Sequence, residues 1–177
     1  MSARIKARIR QNKMIVWKQY IELADSAYSM RKFAVGDKML RAAAQDCADD
    51  AGMCVELAII LERLSTSQAV QNEFTRRERL LKKAINMYER VADDGSNGQI
   101  ARLLVELAVL SAQNNKHQVA LRYFGKSLIV RKRSKSVPAE EQRARMMRLC
   151  NIWAEKNRHD EALIVFNHCT RLSEKPP

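Results

Sequence analysis

A short apolar word returns along this chain and sets its organisation. Glu22-Leu23-Ala24 recurs as Glu56-Leu57-Ala58 and Glu106-Leu107-Ala108, with Arg148-Leu149-Cys150 as a weaker fourth copy. The four leucines stand 34, 50 and 42 residues apart. A second pair of marks follows each: Gly36 and Leu40, then Ala84 and Tyr88, then Ala120 and Phe124, then Ala162 and Phe166. The small residue lies 13 positions beyond the leucine, except in the second copy, where it is displaced by a further 14. This spacing predicts pairs of amphipathic helices joined by a tight turn. A small residue near the start of the second helix lets two backbones approach, and a large one four positions on lies on the same face and fills the gap. A single pair cannot bury its apolar face alone, so the pairs must stack.

The predicted units cover about residues 17–50, 51–98, 101–134 and 143–176, after a basic arm over residues 1–14. Asn114-Asn115 and Lys156-Asn157 fall in two of the turns, where Asn tolerates a left-handed backbone. The extra residues of the second unit include Ser65-Thr66-Ser67-Gln68, a loop-like patch. Split evenly, they lengthen both helices by about two turns and make a hairpin around residues 62–80 protrude. Composition agrees with an all-helical chain of one domain: there are five Gly and three Pro in 177 residues, with no proline between Arg4 and Lys135.

In these marks the chain resembles the tetratricopeptide repeat family. That family's tryptophan, leucine, small, tyrosine, alanine, aromatic pattern is met by Met146, Leu149, Cys150, Trp153, Ala162 and Phe166. It is met again by Leu104, Leu107, Ala108, Ser111, Ala120 and Phe124, and by Tyr20, Leu23, Ala24, Ala27, Gly36 and Leu40. The 42-residue step between the last two units is similar to the longer, kinesin-light-chain type of repeat. The resemblance spans about residues 15–172. It implies an all-α fold, a right-handed superhelical stack of about four helix hairpins, acting as a non-catalytic scaffold with its first helices along a concave groove.

The same resemblance implies which residues line that groove. Just before the aligned leucine come Glu22, Glu56, Glu106 and Arg148; two after it come Asp25, Ile59, Val109 and Asn151; five before it come Lys18, Gly52, Arg102 and Ala144. Three successive glutamates beside Ile59 and Val109 imply a protein partner, a peptide or helix with basic and aliphatic side chains. The alternative is that the glutamates pair internally with Lys18, Arg102 or Arg148. Relatives that grip the acidic C-terminus of chaperones carry Lys, Asn and Arg at these places, so Asp25 and the glutamates argue against that role.

Charge opens a second reading. The net charge of +12 is concentrated in residues 1–20 and 101–140, each carrying +6. The clusters are Arg4, Lys6, Arg8, Arg10 and Lys13, and then Arg131, Lys132, Arg133 and Lys135 near Lys126. Such clusters attract phosphates or anionic lipid. A nucleic-acid-associated or membrane-surface protein is therefore the alternative function, with Ile5 and Ile9 on one face of the basic arm. No apolar run reaches the length of a transmembrane span. The four cysteines form no Cys-x-x-Cys pair and read as reduced packing residues of a cytoplasmic protein.

Little points to catalysis, and no cofactor or metal is expected. Ala120 to Ser127, ending Gly125-Lys126-Ser127, satisfies the loosest phosphate-loop pattern, but its residues are bulky and already have packing roles in a helix. His117 and His159 recur 42 residues apart just after a turn and read as exposed turn residues, since two imidazoles without a third ligand make a poor metal site. On the last helix Leu163, Val165 and Phe166 do not all fit inwards, which predicts self-association as a homodimer through the C-terminal end, a partner at this end, or a chain that is part of a longer protein.

Overall fold

The computed structural model describes the backbone of residues 3–48, 54–71, 73–91, 93–134 and 139–173 and, within them, side chains from residue 16 onward except at 94, 139, 141, 172 and 173. Among the described residues there are eight α-helices and no strand. They are α1 (Ala3–Ser29), α2 (Phe33–Ala48), α3 (Cys54–Val70), α4 (Phe74–Val91), α5 (Asp94–Gln113), α6 (His117–Arg131), α7 (Ala139–Glu155) and α8 (His159–Ser173). The helices fall into two compact units, Met1–Val91 and Ala92–Pro177, each with two hairpins. The boundary of the second hairpin is at residue 91 and not 98, because Ser96 and Ile100 already belong to α5. The backbone of residues 3–14 continues α1 without a break and is not a separate arm; the side chains of Arg4, Lys6, Arg8, Arg10 and Lys13 lie outside the described residues, as do Gly52 and Lys135.

In the first unit α1 packs on α2, α2 on α3, and α3 on α4. Its core gathers Trp17, Ile21, Ala24, Leu40, Ala43, Cys47, Ile60 and Leu64. In the second unit α5 packs on both α6 and α7, and α7 on α8. Ala108, Val109, Ala112, Ala120, Phe124, Met146, Leu149, Trp153 and Val165 form its core. The stripes at three- and four-residue spacing bury as predicted, and the fold is all-α, of the helical-repeat solenoid kind.

The hairpin turns share one chemistry. Arg31, Asn115 and Asn157 adopt left-handed backbone, with φ of 58°, 59° and 56°. After each, the next amide reaches back five residues: Lys32 N–H to Ala27 O at 2.8 Å, Lys116 to Ser111 at 2.9 Å and Arg158 to Trp153 at 2.8 Å. This is the Schellman arrangement, which satisfies the carbonyls a helix end leaves open. Glu73 N–H donates to Gln68 O in the same way at 2.9 Å, which marks the equivalent turn of the second hairpin.

These turns correct the repeat register. The second helices begin at Phe33, Phe74, His117 and His159, and ten residues before each stand Leu23, Leu64, Leu107 and Leu149. The aligned leucine of the second hairpin is thus Leu64, not Leu57, and the four lie 41, 43 and 42 residues apart. The 14-residue insertion does not exist: Leu57 is one heptad early, and Ala84 and Tyr88 are one heptad late relative to Arg77 and Leu81. Two helical turns return to the same face, so the false marks also point inwards. No hairpin protrudes around residues 62–80, since α3 and α4 have 17 and 18 residues, and Ser65, Ser67 and Gln68 are helical and buried. Two further marks are not core: Leu23 is 56% and Phe166 44% exposed, against 2% for Phe124.

Gly36 has a steric role. A Cβ there would stand 2.6 Å from Tyr28 Cδ1, so α1 and α2 approach only because the side chain is missing. Gly36→Ala is expected to lower stability by about 1–3 kcal/mol, through overpacking. A Cβ at Gly125 meets nothing within 4 Å, so Gly125→Ala should raise stability by about 0.5–1 kcal/mol through helix propensity. Urea unfolding of the two variants checks the opposite signs.

Candidate functional site

The face of α1 presents Lys18, Glu22 and Asp25 at spacings of four and three, and all three are exposed. Across from them α3 supplies Arg63, whose Nη1 donates to both Asp25 oxygens at 2.5 and 2.6 Å. Arg63 is the residue before Leu64, and so it occupies the position first assigned to Glu56. The register error hid it. Glu56 lies two turns earlier on α3 and is half-buried, with Ile59 36% exposed. In repeat order the position before the leucine therefore reads Glu22, Arg63, Glu106, Arg148, with alternating sign, and the expected run of three glutamates is absent.

The second unit pairs its charges likewise. Glu106 is 9% exposed and accepts from Arg145 Nη1 at 2.5 Å, joining α5 to α7. Internal pairing of that glutamate is thus observed, with Arg145 as a partner. Arg102 is half-buried and donates to Gln99 Oε1 at 2.7 Å. Val109 is 1% exposed and belongs to the core, so it lines no surface; Ala144, Arg148 and Asn151 are exposed on α7.

Below the Asp25–Arg63 pair lies a cleft of about 250 Å³ lined by Tyr28, Phe33, Thr66, Ser67 and Val70. Tyr28 and Phe33 pack ring to ring at 6.1 Å, and Val70 is 60% exposed at the mouth. An apolar recess with a charged rim suits a side chain entering from a partner. The ion pair itself is solvent-exposed, so it orients more than it stabilises.

The floor of the cleft rests on a buried carboxylate. Asp37, 3% exposed, accepts at Oδ1 from Tyr28 O–H at 2.9 Å and Ser67 Oγ at 2.6 Å. Its Oδ2 accepts from Gln68 Nε2 at 2.8 Å, with Gln71 Nε2 and Arg41 Nη2 both at 3.4 Å. Burial, with lesser contributions from Asp37, pushes the Tyr28 phenol up to about 12, while its bond with Ser67 acts in the opposite direction.

The remaining expected residues are placed as follows. Lys126 is exposed on α6, Lys132 and Arg133 are exposed in the turn after it, and Arg131 is half-buried, burial lowering its pKa. Ala120–Ser127 lies wholly within α6, where Ala120 and Phe124 are buried and Ser127 Oγ bonds Phe124 O at 2.6 Å. His117 is half-buried and not an exposed turn residue, its Nδ1 accepting from Trp153 Nε1 at 3.1 Å; His159 is exposed. Burial pushes the Cys150 and Cys169 thiols up, as for packing residues, and no cysteine is disulfide-bonded. Leu163, Ile164 and Phe166 are exposed on α8, while Val165 is in the core. No described helix is long and apolar enough to cross a membrane.

Comparison with known proteins supports the architecture. No protein-family model matches the sequence, and no curated protein is significantly similar to it. Among solved structures the chain is similar to BtubC (BKLC) from P. vanneervenii, with a TM-score of 0.72 and 14% identity over 93% of this chain and 67% of that one. At that identity the likeness shows the fold, a helical repeat of the tetratricopeptide-like kind.

Tyr28 offers a spectroscopic test of the buried network. Its pKa is raised in the folded state, so its stabilising contribution is complete below the unfolded value near 10 and is lost as pH rises to about 12. Tyr28→Phe is expected to flatten the fall of stability between pH 10 and 12, as followed by phenolate absorbance and circular dichroism.

Proposed function

We propose that the protein is a non-catalytic scaffold that binds a segment of a partner protein, and that the cleft between α1 and α3 is one of its contact points. The observation that carries this reading is the apolar recess of Tyr28, Phe33 and Val70 beneath the Asp25–Arg63 pair. A helical-repeat fold supports it, since such folds present the exposed faces of successive helices to partners. The partner's chemistry follows from the rim: one apolar side chain for the recess, flanked by polar or charged groups of either sign. A purely basic partner is not required, because Arg63 and Arg145 offset Asp25 and Glu106. Lys18, Glu22, Arg148 and Asn151 are proposed as further contacts of the exposed first-helix faces.

The decisive experiment is affinity capture from native lysate at two salt concentrations, with and without nuclease, using wild type and Val70→Asp. A discrete protein is expected to survive nuclease and moderate salt and to be weakened at least about tenfold by Val70→Asp, because the new carboxylate must be desolvated in the recess. Capture lost to nuclease, or falling steeply with salt, would transfer the assignment to the basic clusters and nucleic acid. Vesicle flotation with anionic lipid tests the membrane reading in the same way.

The exposed row Leu163, Ile164 and Phe166 supports self-association through α8. Light scattering at increasing concentration should show dimers that Phe166→Glu abolishes. A monomer throughout removes the homodimer.

A further inference from the structure

The face of α3 opposite the cleft borders a second cavity, of about 410 Å³, between α2, α3 and α4. One wall is apolar, made by Ala44, Leu61, Leu64 and Leu80. The other is cationic: Arg41 from α2 and Arg76 and Arg79 from α4. Neither Arg76 nor Arg79 forms an ion pair among the described residues, and both are exposed. Arg41 approaches Asp37 only to 3.4 Å, and that carboxylate is already held by Tyr28, Ser67 and Gln68. The nearby Glu78 is paired with Lys82 at 2.6 Å. The cavity therefore keeps a net positive charge.

A third feature narrows the ligand. Gln68 also lines the cavity, 3% exposed, and its Oε1 accepts no hydrogen bond among the described residues. Its amide orientation is fixed, because Nε2 donates to Asp37. An acceptor at the cavity's base calls for an N–H or O–H donor on whatever fills it.

Three demands thus meet in one volume: an anion for planar guanidinium groups, a flat or compact apolar body for the leucines, and a donor for Gln68. Free phosphate lacks the second, and a fatty acid or phospholipid tail lacks the donor. A sugar phosphate lacks the apolar body. Guanidinium forks match phosphate oxygens in pairs, and a phosphate dianion uses several arginines where a single carboxylate does not. A volume of this size accommodates a nucleobase-sized group. We propose that this cavity is a nucleoside-phosphate site, with the phosphate on Arg41, Arg76 and Arg79, the base against Leu61, Leu64 and Leu80, and a base amine directed to Gln68. The nucleoside phosphate is either free or one unit of a single-stranded nucleic acid. The site is separate from the cleft of the scaffold reading and stands or falls without it.

The test is a heteronuclear NMR titration of the full chain with adenosine 5′-monophosphate, and in parallel with adenosine, inorganic phosphate, a tetraglutamate peptide and an octa-adenylate RNA. The expected result is saturable shifts at Leu64, Gln68, Arg76 and Arg79 with the monophosphate, and at least about tenfold weaker binding of adenosine or phosphate alone, since each keeps only part of the contacts. Arg76→Gln combined with Arg79→Gln, both exposed positions, should weaken the monophosphate at least about tenfold with helicity unchanged. Tighter binding of octa-adenylate, with a steep salt dependence, identifies nucleic acid as the source; equal or weaker binding identifies the free nucleotide. Phosphate or tetraglutamate binding as well as the monophosphate, an unaffected double variant, or shifts confined to other residues would overturn the proposal.

Discussion

Burial of one carboxylate governs the N-terminal unit. Asp37 sits among helices with almost no solvent, and a charge so placed is tolerable only when hydrogen-bond donors surround it. The donors come from three directions: Tyr28 on α1, Arg41 on its own helix, and Ser67 and Gln68 on α3 with Gln71 just beyond its end. Those partners reach Asp37 only if α3 is rotated so that residues 67, 68 and 71 face α2. Apolar packing alone would accept other rotations and neighbouring registers; the carboxylate does not. It also explains why Gly36, the residue before Asp37, carries no side chain, since Tyr28 must lie over it to reach the carboxylate.

The same demand set the limit of what the sequence made legible. In the first, third and fourth hairpins, small and large apolar residues stand where two helices meet, and the hairpins could be read from them. In the second, Ser65, Gln68 and Arg77 stand at those places, and Gln68 itself serves Asp37. Leu57 with Ala58, and Ala84 with Tyr88, then offered a better-looking match a heptad away on the same faces. An amphipathic stripe defines a helix's face well and its longitudinal register poorly. The turns settle the register, and three of them carry a left-handed residue that two asparagines had announced and Arg31 had not.

The functional residues followed the register. Asp25 was legible because the first hairpin was correctly phased; Arg63 was not, and without it the groove read as a row of acids. Tyr28, Phe33 and Val70 carry no pattern of their own and come together only through the close approach of α1, α2 and α3. The arginines of the second cavity were concealed differently. Arg76 and Arg79 lie in a segment whose acids nearly cancel its bases, so a charge count over forty residues averages them away.

The two tryptophans are divided between the two units, and in different surroundings. Trp17 lies in the N-terminal core with its indole N–H unsatisfied among the described residues, whereas Trp153 is fully buried in the C-terminal core with its N–H bonded to His117. Each half of the chain therefore contains one indole fluorophore of its own. With the other tryptophan replaced, emission reports one half at a time, so whether the halves melt as a single cooperative body or in succession becomes a question of colour and intensity, answerable without any attached label.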